Sequence, residues 1–149
     1  MDQSEMARRF AEHLGYTEDE AALLAGDEPR LRFAEAVSAA GVEYLITVTV
    51  LRAANCNSDY AAGDTFVLDV AGNFIAKRCP PRLCVYLVSQ LALPVALINE
   101  RLCAGQDPAG IHFMRQTHCL DTGVACKGYG GVLVEVAPVR RADFLAKAR

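Results

Sequence analysis

The sequence predicts an α+β fold: N-terminal helices, then a small antiparallel β-sheet packed on one long, proline-kinked helix. Two observations carry that reading. The hydrophobic period is 3.6 residues over roughly the first forty positions and drops to 2 at Val42. The longest apolar run, Leu83 to Ile98, then restores a helical pattern with Pro94 inside it. Of 149 residues, 52% are hydrophobic and 22% charged, enough apolar material for one well-filled core. The chain divides into a helical appendage (residues 1–41), a cysteine-containing α+β core (42–139) and a basic tail (140–149).

Met6, Phe10 and Leu14 recur on one helical face, and Gly15 supplies a stop. Thr17 and Glu20 have the spacing of a capping box, in which each side chain satisfies a free backbone donor. A short helix to about Ala25 follows, closed by Gly26. Pro29 suits the start of a third helix, which runs to Ala40 and closes at Gly41. With no cysteine among them, these helices read as a packing or dimerisation appendage.

Val42, Tyr44, Ile46, Val48 and Val50 then share one face of a strand, with Glu43, Thr47 and Thr49 opposite. A polar loop over residues 54–63 leads through Asp64 into a second strand with Phe66, Leu68 and Val70 alternating. Ala71 to Asn73 is a turn back into Phe74 and Ile75. The long helix is expected from Pro81 to Cys103 or Ala104. Ile111 to Thr117 reads as a strand, His118 to Gly131 as a glycine-rich loop, and Val132 to Val136 as the last strand. The tail from Pro138 is expected to be loosely held.

A net charge of −3 argues against nucleic-acid binding, which needs a basic face. The apolar run is interrupted at Ser89, Gln90 and Pro94 and falls short of the ~20 residues of a membrane span. No basic-then-apolar leader opens the chain, so a reducing, cytoplasmic setting is expected. An all-round apolar helix points toward a protein partner or a homo-oligomer. No Walker loop, GxGxxG, HExxH or Ser-His-Asp order is present.

Chemistry therefore rests on six cysteines. No two form a Cys-x-x-Cys pair, yet Cys56, Cys79, Cys84, Cys119 and Cys126 all fall in loops or at element ends. In a hairpin-plus-helix layout such ends can converge at one edge of a small sheet. Four thiolates suit an iron–sulfur cluster or, as the alternative, zinc; three leave an iron open to a small-molecule substrate. Cys84, expected in the first helical turn, is the candidate for a lowered thiol pKa in a cofactor-free redox protein, with Cys79 or Cys119 resolving. Scattered structural thiols in an accessory subunit are the third reading. Cys103, at the far end of the helix and about 30 Å from Cys84 at ~1.5 Å per residue, reads as a packing residue.

Around the thiols, His118 is a possible ligand or proton donor, whereas His112 lies in a strand and His13 on the surface. Asp64 and Asp121 suit turn-stabilising hydrogen bonds. Asp59 stands in the first cysteine loop, and Arg78 and Arg82 flank the thiols, placed either to hold an anion or simply to be solvated.

Cys56, Gly63-Asp64-Thr65-Phe66, Leu83-Cys84 and Cys119-Leu120-Asp121 together resemble the pattern of a group of small, largely uncharacterised bacterial and archaeal proteins. The resemblance spans Val42 to Val136. It implies a site built on Cys56, Cys84 and Cys119, and an anaerobic setting suited to an oxygen-sensitive cluster. The histidine often found before Gly-Asp in that group is replaced here by Ser58-Asp59-Tyr60, so no histidine role carries over to this loop. Cys79 and Cys126, either of which would complete a four-thiolate set, and the N-terminal helices lie outside the pattern.

Overall fold

A computed structural model describes residues 3–147. Helix α1 (Gln3–Leu14) ends where Gly15 takes a left-handed φ of 72°. Helix α2 (Glu18–Ala25) starts at the expected box: the Thr17 side chain accepts from the Glu20 N–H, and the Glu20 carboxylate accepts from the Thr17 N–H at 2.8 Å. Those bonds hold the Glu20 carboxyl below its usual range. Helix α3 (Glu28–Glu43) carries Pro29 in its first turn and Asp27 as its cap.

Here the boundary differs from expectation. Helix α3 passes through Gly41 to Glu43, leaving Val42 80% exposed, and strand β1 (Tyr44–Ala54) starts two residues late. A glycine raises the cost of a helical residue by only ~1 kcal/mol, and Gly41 sits in the last turn of α3 beside Val70.

Strand β1 pairs with β2 (Thr65–Leu68) on one side and with β4 (Gly131–Arg140) on the other, and β3 (Gln116–His118) adds to β4. The order is β2-β1-β4-β3, all antiparallel. Ile46, Val48 and Val50 face one core, but Leu45 and Thr47 are also buried, because β1 is an interior strand covered on both faces. An extra residue at Leu51 shifts the register between Val50 and Arg52, a bulge that brings Ala53 rather than Arg52 opposite core residue Val132. After β2 the chain reverses through Asp69 to Asn73, with a single bridge between Leu68 and Phe74.

The expected continuous helix from Pro81 is interrupted and begins later. Residues 80–84 are not helical, since Pro80 and Pro81 donate no N–H and each restricts the residue before it. A single turn, α4 (Val85–Val88), passes through a 3₁₀ turn (Ser89–Leu91) into α5 (Ala92–Cys103). Pro94 is buried in the first turn of α5, just beyond the 3₁₀ segment. Leu87, Leu91 and Ile98 from this stretch pack with the valines of β1 and β4 in the main core.

Two further expectations are corrected. Most of Ile111 to Thr117 is irregular, with Met114 at a φ of 59°; β3 begins at Gln116 and leaves His112 exposed in a loop rather than in a strand. The tail is not loose from Pro138: β4 continues to Arg140, pairing Pro138 with Ile46 and Arg140 with Tyr44, and α6 (Arg141–Lys147) follows. Its Phe144 ring receives the Arg78 guanidinium at 5.2 Å. No helix among the described residues is long and apolar enough to cross a membrane.

Ile98 has no exposed surface and joins α5 to the sheet. Ile98→Ala is expected to cost about 2–5 kcal/mol in denaturant unfolding, against ~1 kcal/mol for Thr17→Ala, which loses only a cap.

Candidate functional site

In an antiparallel sheet the C-terminal ends of β1 and β3 meet the N-terminal end of β4. Cys56 follows β1, Cys119 follows β3, and the residues opposite both belong to the start of β4. Ala54 pairs with Gly131, His118 with Leu133, and the Cys119 N–H donates to the Val132 carbonyl at 2.9 Å. Above this edge the chain enters α4 at Cys84. The three thiols, all partly buried, line one cavity of about 470 Å³, a size typical of small-ligand sites. Tyr60, Tyr86 and Tyr129 share its walls.

Each thiol is held by a different local device. The Val132 N–H donates to the Cys119 sulfur at 3.3 Å. Cys84 is the residue before α4 in extended conformation, and its N–H donates to the Tyr60 hydroxyl at 2.9 Å. It is therefore the residue before the helix and not part of a first helical turn as expected. Cys56 lies at the start of the loop, where its carbonyl accepts from the Asp59 N–H at 3.0 Å.

The other three cysteines stand apart from the cavity. Cys79 sits against β2, with its sulfur 3.5 Å from the Val67 nitrogen and 3.4 Å from the Ile75 oxygen. Cys126 is exposed in a 3₁₀ turn. Cys103 ends α5, where burial pushes its thiol pKa up. Among the described residues, no three His, Cys, Asp or Glu side chains form a ready-made metal cage.

The glycine-rich loop is tied down by Asp121. Its carboxylate accepts from the N–H groups of Gly123 (3.0 Å), Tyr129 (2.9 Å) and Gly130 (3.0 Å). Those bonds, that to Gly123 foremost, hold its carboxyl below the usual range. Asp64 plays the expected smaller part, accepting from the Ala61 N–H at 2.9 Å. A side chain at Gly130 would collide with the carbonyl oxygens of Asn55 and Ala54, so only glycine lets this loop close on the end of β1.

The charged neighbours face other partners. Arg82 pairs with Asp59 at 2.8 Å on the exposed surface, and Arg78 lies over Phe144. The His118 ring contacts the Cys119 carbonyl at 2.7 Å through Nδ1 and is exposed. The sequence reading missed the tyrosines of the cavity wall. One signal was available: Tyr60 is the sole aromatic in the polar loop over residues 54–63.

Gly130→Ala should destabilise the protein by about 1–3 kcal/mol, the range for forcing atoms into a filled space, measured by denaturant unfolding. The Asp121 anchor should also titrate. A carboxyl lowered by folding contributes stability above its unfolded value near ~4, and that stability is lost as pH falls through the lower folded value. Protection of the Tyr129 and Gly130 amides, taken relative to their intrinsic exchange rates, should fall across that acidic window in the wild type. Asp121→Asn should be poorly protected throughout and lose the pH step.

Compared with family models, curated proteins and solved structures, the chain matches none.

Proposed function

We propose that Cys56, Cys84 and Cys119 together hold a soft metal centre, foremost an iron–sulfur cluster, in a small cytoplasmic protein. It would act in redox chemistry or as an accessory subunit. One observation supports this above the rest: three thiols far apart in sequence, carried by three separate elements, line a single cavity, while the other three do not. The donor set fits the group, because soft thiolate sulfurs are the ligands that such clusters and zinc select.

When bound, such a cluster supplies one-electron transfer, and with three chain ligands it keeps an iron open to a small molecule. The chain's own contribution is to hold the sulfurs. The Val132 N–H donates to Cys119, a bond that lowers the electron density on a ligating thiolate and tunes potential. The glycine-rich loop closes one wall, fixed by Asp121. That carboxylate accepts three backbone N–H groups, two on Oδ1 and one on Oδ2. Zinc held by the three thiolates alone would keep a fourth position open, in the manner of catalytic sites. Cys79, against β2, and Cys126, in an exposed turn, are not among the residues lining this cavity, so the proposal takes Cys56, Cys84 and Cys119 as the ligands.

Anaerobic purification with iron, sulfide and zinc analysis tests the reading. Broad visible absorption with stoichiometric iron and sulfide is expected. Cys56→Ser, Cys84→Ser and Cys119→Ser should each lose most of it, whereas Cys79→Ser, Cys103→Ser and Cys126→Ser keep it. Colourless protein with stoichiometric zinc would select the zinc form. Metal-free wild type with rapid alkylation of Cys84 would replace the proposal by cofactor-free thiol chemistry.

A further inference from the structure

The geometry points to Tyr60 as the positioning residue that sets the Cys84 thiol against Cys56 in the cavity. The inference rests on the reading of this cavity as a shared thiol site. Tyr60 is only 5% exposed, and its ring meets Phe66 edge-on at 5.2 Å within the main core. Its hydroxyl is the one polar part of the side chain, and two backbone groups of the facing segment claim it. The hydroxyl donates to the Arg82 carbonyl at 2.8 Å and accepts the Cys84 N–H at 2.9 Å.

Besides this hydroxyl, the Cys84 carbonyl anchors the segment by accepting from the Leu87 and Val88 N–H groups at 3.0 and 2.9 Å. Pro80 and Pro81 carry no N–H, and regular helix begins only at Val85. The nearby Arg82–Asp59 ion pair is exposed, with side chains 64% and 80% accessible, and such pairs contribute little. Tyr60 itself belongs to the loop that carries Cys56, four residues earlier. A buried hydroxyl therefore links the backbone bearing one site thiol to the backbone bearing another, and its position is set by the core. Tyr60 also lines the cavity wall.

The test is Tyr60→Phe, which keeps the ring and deletes the two hydrogen bonds. In metal-free protein, alkylation rates of the individual thiols by iodoacetamide are read by mass spectrometry. The rate at Cys84 should change about fivefold or more, the ratio that one lost net hydrogen bond allows, while Cys126 stays unchanged as an internal reference. Metal content and absorption of the anaerobically purified variant should fall in parallel. Asp59→Asn, which weakens only the surface pair, should leave both readouts alone. Lower thermal stability with an unaltered Cys84 rate and unaltered metal content would overturn the inference and make Tyr60 a plain structural brace. Should Tyr60→Phe fail to fold, fluorotyrosine at position 60 keeps the ring and hydroxyl but weakens the acceptor; an unchanged Cys84 rate there is equally fatal. Metal-free wild type would sink the metal centre alone, because the alkylation comparison still decides the role of Tyr60.

Discussion

The pairing of β1 with β4 is the constraint on which the remaining structure depends. It joins residues 44–54 to residues 131–140, nearly a hundred positions apart at its far end, in a ladder broken only by the bulge at Leu51. The valines it brings together, Val48 with Val136 and Val50 with Val134, are at most 3% exposed and form the floor on which Leu87, Leu91 and Ile98 pack. Burying each such side chain is worth about 1.5–3 kcal/mol, far more than any surface ion pair in the molecule. The same ladder decides where the chemistry-bearing loops emerge. Its last pair, Ala54 with Gly131, sets the loop of Cys56 against the glycine-rich loop that follows Cys119.

From that edge the cavity is assembled by short-range fixtures of ordinary kinds. A carboxylate gathers three backbone donors, a glycine admits two carbonyl oxygens where a side chain would collide, and a buried phenol bridges two strips of backbone. None is unusual alone. Their joint effect is that three thiols share one recess while the fold holds the other three apart. Two of the tyrosines on its wall, Tyr86 and Tyr129, are 62% and 83% exposed, and with Leu120 they also line a neighbouring hollow.

How much of this was legible in the sequence follows the range of the interactions involved. The capping box at Thr17, the stop at Gly15 and the turn after β2 are local, and local chemistry alone decided them. That the loops after β1 and β3, with Cys56 and Cys119, would emerge at one edge was also legible, because the antiparallel ladder brings those strand ends together. Other features were not. Helix α3 overran Gly41 because a glycine costs a helix only ~1 kcal/mol and does not by itself end one. The diproline looked like a helix start but holds the chain extended until Val85. The tail became strand and helix because its partners, Tyr44 and Ile46, lie at the other end of the core, beyond any local signal. Cys79, next to the same diproline as Cys84, turned toward β2 instead, a choice set by the 3₁₀ turn at Ala76–Arg78.

The central claim is that Cys56, Cys84 and Cys119 face one another across a single recess. Short bifunctional thiol reagents, applied to the reduced, metal-free protein and mapped by mass spectrometry, test it without reference to any cofactor. Cross-links confined to pairs among these three cysteines are predicted, with Cys79, Cys103 and Cys126 giving only single adducts. Cross-links that join one of the three to Cys79, Cys103 or Cys126, with none among themselves, would contradict it.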